Sequence, residues 1–221
     1  MHPDPRPVMD HEVPILTGSS IVPSQWDLTT QQVLPYIDGY RHVSKIALEA
    51  DVEVSLVKAC IQNMIYYGII NLIPIFQYSN IYVTTPRLSN LLKEPLRSEC
   101  IRSVSCKEAA SPPFRTVFAM FAAMKPGSTI KDICTQFNPS SVGIDEKKLV
   151  RFGLIKGILR RLQKYPVFIT DDPSRVYHHR GVYQHFDGTN SYDEICVLTC
   201  KPFQELDEKV EKHPSVFIIW K

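Results

Sequence analysis

Apolar side chains recur at helical spacing along residues 43–68. Val43, Ile46, Ala47 and Ala50 fall at i, i+3, i+4 and i+7, and Val57, Cys60, Ile61 and Met64 repeat the stripe. The pattern predicts two amphipathic helices, the first starting at about His42, joined by a turn at Asp51-Val52. Gly68 then stops the second, as a glycine just past a helix C-terminus does. The outward face of that helix offers Ser55, Lys58, Ala59, Gln62 and Tyr66. A shorter helix precedes the pair and runs to about Ile37. Thr29 and Gln32 have capping-box spacing at its start, and Asp38-Gly39 breaks its end. Beyond Gly68 the chain turns β-rich from Ile69 to Phe76, turns at Gln77-Tyr78-Ser79-Asn80, and returns from Ile81 to Thr84. That reads as a hairpin, with Pro74 leaving a break or a free edge in its first strand. Helix, helix, turn, helix and hairpin is the winged-helix order.

Downstream, Leu88, Leu91 and Leu92 suggest a helix, and Ser111-Pro112-Pro113 marks a boundary. Phe114 to Met124 reads as an apolar helix ended by Pro126-Gly127, and Thr129 with Asp132 can cap another through Phe137. A long helix is predicted from about Asp145 to Tyr165, with Phe152, Ile155, Ile158, Leu159 and Leu162 on one face and acids at its start to suit the helix dipole. Pro166 ends it, and Val167-Phe168-Ile169 reads as a strand. Residues 171–190 are polar and have room for a hairpin. Ser191 and Glu194 form a further capping box, and Pro202 suits the first position of a helix whose Phe203, Leu206 and Val210 face inward. His213-Pro214 stops that helix before a terminal strand, Val216 to Trp220. Its helix, turn, helix and strand echo residues 43–75 as a weak internal repeat. The fold class is therefore mainly α with small β hairpins, in tandem winged-helix-like units. Residues 1–25 are a Pro-rich linker or strap, 26–85 a first unit, 86–112 a connecting segment, and 113–221 a C-terminal winged-helix-like domain or domains.

Composition narrows the function classes. The 221 residues are 44% hydrophobic and 22% charged with a net charge of +2, so no polybasic character draws the whole chain onto nucleic acid or anionic lipid. No apolar run is long enough to span a bilayer, and Met1-His2-Pro3-Asp4-Pro5-Arg6-Pro7 is not a secretory signal. Six cysteines at irregular spacing, without a CxxC pair, suit free thiols in a reducing cytosol. A chain that opens on a linker suggests a fragment of something longer.

Phosphate-cradling glycine loops and the nucleophile elbow of serine hydrolases are absent from the sequence, and no catalytic, cofactor or metal residue is assigned. His178-His179 with His185, and Cys196 with Cys200, are the nearest approach to a metal set, and ordinary surface or core roles suit them better. DNA binding is disfavoured, since Lys58 alone makes the third helix cationic and the late helix carries Glu205, Asp207, Glu208 and Glu211 against Lys209 and Lys212. Two features point instead to protein partners. Lys156, Arg160 and Lys164 lie at i, i+4 and i+8 of the predicted long helix, a solvated face that could also dock an acidic surface. Tyr66-Tyr67 and Tyr78 could form an aromatic surface patch, with core packing the favoured reading for Tyr67.

Longer strings carry a resemblance. Gln25-Trp26-Asp27-Leu28-Thr29-Thr30-Gln31-Gln32, Leu34-Pro35-Tyr36-Ile37-Asp38-Gly39-Tyr40-Arg41-His42, Ala50-Asp51-Val52-Glu53 and Tyr66-Tyr67-Gly68 stand in the first half. Phe152-Gly153-Leu154, Arg160-Arg161-Leu162-Gln163-Lys164-Tyr165-Pro166-Val167, Ser191-Tyr192-Asp193-Glu194-Ile195-Cys196, Glu205-Leu206-Asp207-Glu208 and Trp220-Lys221 follow. The chain closely resembles the C-terminal portion of nitrogen permease regulator 2-like proteins, with residues 85–112 and 171–188 matching poorly. The resemblance implies a subunit of the GATOR subcomplex that activates GTP hydrolysis by Rag GTPases and restrains TOR complex 1 when amino acids are scarce. It implies a nitrogen permease regulator 3-like protein and a DEPDC-type subunit as partners, and a cytoplasmic protein recruited to the lysosomal or vacuolar membrane. It also places the family's arginine finger on an N-terminal longin domain, with this chain starting in the linker after it. The expected role is a non-catalytic scaffold; the alternatives are a winged-helix nucleic-acid-binding regulator and, less favoured, a hydrolase with an unrecognised site.

Overall fold

The structure, a computed structural model, describes residues 7–17, 26–106, 111–169 and 181–221. The chain is mainly α-helical with small two-stranded sheets. It divides into two compact units, residues 1–160 and 161–221.

The first unit holds two hydrophobic cores. One gathers helices α1 (Leu28–Val33), α2 (Val43–Ala50) and α3 (Val54–Tyr66) and strand β2 (Ile70–Ile73), with strand β1 (Val13–Leu16) paired to β2. Both stripes expected for α2 and α3 are buried, from Val43 through Met64. Three local expectations are corrected. The start of α1 is capped by Asp27 rather than by Thr29: one carboxylate oxygen accepts the Thr30 amide at 3.1 Å, the other the Thr30 hydroxyl at 2.6 Å. A carboxylate two residues earlier offers two acceptors where a threonine offers one hydroxyl. Gln32, freed from that role, donates to the Ala50 carbonyl and ties α1 to the end of α2. The proline-rich strap contains a strand, since β1 pairs antiparallel with β2 from Val13 opposite Ile73 to Leu16 opposite Ile70. Finally, β2 and β3 (Ile81–Thr84) form no hairpin with each other. β1 takes the edge of β2, and Pro74, without an amide proton, interrupts the segment between them.

The second core lies under the 3₁₀ turn Pro86–Leu92 and helices α4 (Leu96–Val104), α5 (Phe114–Ala123), α6 (Ile130–Phe137) and α7 (Glu146–Ile155). Tyr82, Leu91, Cys100, Met120, Phe121, Ile133, Leu149 and Leu159 are among its buried members. Leu92 is exposed, so only part of the expected leucine face is core. The long helix predicted for 145–165 is also corrected. α7 ends at Ile155, Gly157 turns left-handed at φ +65°, and the chain re-emerges as strand β4 (Leu159–Leu162), which pairs with β3. The stop is a Schellman closure, with the Gly157 amide on the Leu154 carbonyl at 3.1 Å and the Ile158 amide on Gly153 at 2.8 Å. Ile158, Leu159 and Leu162 are buried as expected, although from the turn and strand rather than a helix, while Ile155 is partly exposed.

In the second unit, β5 (Lys164–Phe168) pairs antiparallel with β6 (Val216–Trp220), from Lys164 opposite Trp220 to Phe168 opposite Val216. Helices α8 (Tyr192–Thr199) and α9 (Phe203–Lys212) pack with the 3₁₀ turn Gly181–His185 over Val182, Phe186, Tyr192, Ile195, Leu206 and Val210. Phe203 is half-exposed rather than inward. It opens α9 at the rim of the core, and its ring rests against Tyr192 at 5.4 Å. Half of the polar stretch 171–190 with room for a hairpin, 171–180 with His178 and His179, lies outside the described residues, and the other half opens with the 3₁₀ turn.

The internal echo runs to three copies. α2, α6 and α8 each have eight residues, and in each the N-cap side chain (His42, Thr129 or Ser191) accepts the amide three residues on. Each ends on a left-handed residue, Asp51, Asn138 or Cys200, and these are the non-glycine residues with positive φ among the described residues. A second helix and a strand follow every time: α3 and β2, α7 and β4, α9 and β6.

Candidate interaction surfaces

The aromatic candidates sit at helix ends and turns. The α3 stripe would bury Tyr67 if the helix ran on. It ends at Tyr66, and Tyr67 as C-cap swings out to 67% exposure, correcting its reading as core. The rings of Trp26, Tyr67 and Tyr66 then form an edge-to-face run, 5.5 Å from the first to the second and 5.4 Å from the second to the third. Tyr78 belongs to a different cluster. Its ring meets Phe76 edge-on at 5.2 Å and its phenol donates to Glu146 at 2.6 Å. That hydrogen bond holds the proton on, so the phenol pKa is pushed up to about 12.

The basic candidates do not form a stripe, because the helix that would align them stops at Ile155. Lys156 caps α7 and pairs with Glu99 at 2.7 Å. Arg160 is exposed on β4. Lys164 lies on β5, pairs with Asp207 at 3.0 Å, and is surrounded at 5.2 to 5.7 Å by the rings of Tyr192, Phe203 and Trp220. Lys58 on α3 pairs with Asp10 at 2.5 Å. On α9, Lys209 pairs with Glu205 and Lys212 with Glu208, each at 3.0 Å. Among the described residues no group of three metal-type side chains gathers. His185 lies beside Gln184, Cys196 is half-buried and Cys200 exposed.

Sequence reasoning missed a cleft in the first unit, of about 320 Å³. Val13, Ile73, Pro74, Ile75, Phe76 and Leu154 contribute apolar surface, and His42, Lys45, Lys147 and Arg151 supply basic groups. Arg151 is held in place there. One guanidinium nitrogen donates to the Asp38 carbonyl at 3.2 Å, the group stacks over the Tyr40 ring at 5.2 Å, and Gly39 lies directly beneath it. A Cβ at Gly39 would come within 2.9 Å of the guanidinium carbon, and φ there is +79°. No local motif announces this site, since its lining is spread from residue 13 to residue 154.

No helix among the described residues is long and apolar enough to cross a membrane. The sequence profile of the nitrogen permease regulator 2 family matches residues 1–111 and 104–214. The GATOR complex protein NPRL2 of Drosophila melanogaster is 41% identical across the whole chain, which covers 53% of that protein. The nitrogen permease regulator 2 homolog of Schizosaccharomyces pombe is 32% identical over 94% of the chain, again covering 53% of the relative. Nitrogen permease regulator 2 of Saccharomyces cerevisiae is 37% identical over 41% of the chain. The chain thus spans about half the length of the first two relatives. By profile and by identity, it belongs to the nitrogen permease regulator 2 family.

Proposed function

We propose that this chain is a non-catalytic scaffold of a GATOR-type complex that activates GTP hydrolysis by Rag GTPases and restrains TOR complex 1 signalling when amino acids are scarce. The observation that carries the reading is 41% identity over the whole chain to a protein named for that complex. The surfaces support it. The three helix, corner, helix and strand copies are read as winged-helix-like units adapted to protein contacts. Exposed aromatic rings such as Tyr66 and Tyr67 suit protein interfaces, where tyrosine and tryptophan are enriched. Lys58, the cation on the outward face of α3, is paired with Asp10. In this reading Tyr66, Tyr78, Arg160 and the neighbourhoods of Lys156 and Lys164 are contact points. The partners are a nitrogen permease regulator 3-like protein and a DEPDC-type subunit, and the complex works at the lysosomal or vacuolar membrane surface, upstream of autophagy.

Two assays on one preparation test this. The 221-residue chain should co-purify with a nitrogen permease regulator 3-like protein and leave single-turnover GTP hydrolysis by a Rag heterodimer unchanged. Failure to co-purify would remove the scaffold. Stimulated hydrolysis, lost on mutating one of this chain's own arginines, would overturn the non-catalytic role.

A further inference from the structure

We infer that the cleft lined by α2, α7 and the segment after β2 receives an acidic peptide segment of a partner protein. The inference rests on the reading of this chain as an interaction module and names one surface and its ligand chemistry. His42, Lys45, Lys147 and Arg151 line the cleft, and among the described residues no carboxylate does. The carboxylates nearest in sequence are engaged elsewhere. Asp38 binds Arg41, Glu49 pairs with Arg41 at 2.6 Å, Asp145 caps the amides of Lys147 and Lys148, and Glu146 accepts from Tyr78. Lys45 reaches Glu49 only at 3.8 Å.

Arg151 gives the cleft a fixed cation. Gly39 and the Tyr40 ring hold the guanidinium flat, its hydrogen bond is to a backbone carbonyl, and among the described residues no carboxylate pairs with it. A planar fork held in advance loses little freedom when it donates to a carboxylate, which favours bidentate capture. The apolar part of the lining, with Ile73, Pro74, Ile75 and Phe76 in succession, suits an aliphatic or aromatic side chain next to that carboxylate. A peptide alternating acidic and apolar residues presents both groups at once. Charge complementarity therefore selects the occupant, and apolar contact supplies area that a bare anion could not use.

The test is fluorescence anisotropy on the full 221-residue chain with a labelled synthetic peptide of alternating glutamate and leucine, and a lysine–leucine peptide as control. The glutamate peptide should bind, weaken as salt rises, and the lysine peptide should not bind. Lys147 and Lys45 are exposed, so Lys147→Glu with Lys45→Glu should fold as the parent does and lose at least about tenfold in affinity, as expected for removing charge-assisted contacts. Arg151→Gln should weaken binding similarly; Arg151→Lys, keeping charge without the fork, should restore only part. Should the double reversal unfold the chain, Lys147→Gln carries the comparison. Equal affinity in parent and variants, or equal binding of both peptides, would overturn the assignment. So would binding of inositol hexakisphosphate or ATP at these residues without peptide affinity, which would mark a small-phosphate site. Loss of peptide binding with partner co-purification intact supports the cleft as a secondary contact, whereas failed co-purification speaks only to the scaffold reading.

Discussion

At the scale of single residues, close approach decides more than propensity. Gly153 sits inside α7, where alanine is the better helix former by about 1 kcal/mol. A Cβ there would stand 2.6 Å from two atoms of Leu159 and 3.0 Å from Phe121. Those side chains belong to β4 and α5 and are buried in the second core, so they have little room to retreat. The strand that replaces the expected long helix can lie against α7 because this position has no side chain. Overpacking of a filled core typically costs about 1–3 kcal/mol, which exceeds the propensity gain. Gly153→Ala should therefore lower the urea midpoint by a net destabilisation on the order of 1 kcal/mol. A raised midpoint would mean that Leu159 and Phe121 move aside freely. Gly39 has the same logic at the cleft, with the Arg151 guanidinium as the atom group in the way.

At the scale of elements, the corner is the unit that recurs. Asp51, Asn138 and Cys200 pass the chain from a first helix to a second through left-handed backbone, which costs a residue with a Cβ about 1–2 kcal/mol relative to glycine. Cys200 is exposed at its corner, and its thiol makes only a long contact, 3.7 Å, to the Val197 carbonyl. Cys200→Gly should relieve the strain and give back part of it as unfolded-chain entropy, for a net gain of roughly 0.5–1 kcal/mol, read as a higher urea midpoint. An unchanged or lower midpoint would show the corner to be unstrained. The helices around these corners were legible because their information is local. The stripes of α2 and α3 and the capping boxes at Thr129 and Ser191 each lie within a few residues. What could not be read was pairing at a distance. β2 finds β1 more than fifty residues upstream, and β3 finds β4 more than seventy downstream. Leu159-Arg160-Arg161-Leu162 are good helix formers, and a glycine corner and a partner strand override them. The cleft was illegible for the same reason, since four separate segments supply its basic and apolar groups.

At the scale of the whole chain, the distribution of charge separates a protein-binding scaffold from a nucleic-acid reader built on similar helices. A duplex-binding protein makes several phosphate contacts, commonly ~6–10, and its affinity falls with salt by about 0.9 log unit per log unit for each. The two helices that a winged-helix reading would make recognition helices cannot supply that number. α3 presents Lys58, already paired with Asp10, among Ser55, Ala59, Gln62 and Tyr66. α9 carries Glu205, Asp207, Glu208 and Glu211, and its lysines are spent on Glu205 and Glu208. The basic groups of the cleft are a local concentration, and Lys45, Lys147 and Arg151 around about 320 Å³ fit a side chain better than a duplex backbone. Surface ion pairs are individually weak, so DNA could still recruit some of these lysines at low salt. We expect weak, sequence-independent binding with a salt slope below about 3 in magnitude, vanishing near physiological ionic strength. The measurement is a salt-titrated anisotropy assay with two unrelated duplexes. Submicromolar affinity for one duplex over the other, with a slope near 6 or steeper, would show that the pairs at Lys58 and Lys209 open to phosphate and would make the nucleic-acid reading the better one.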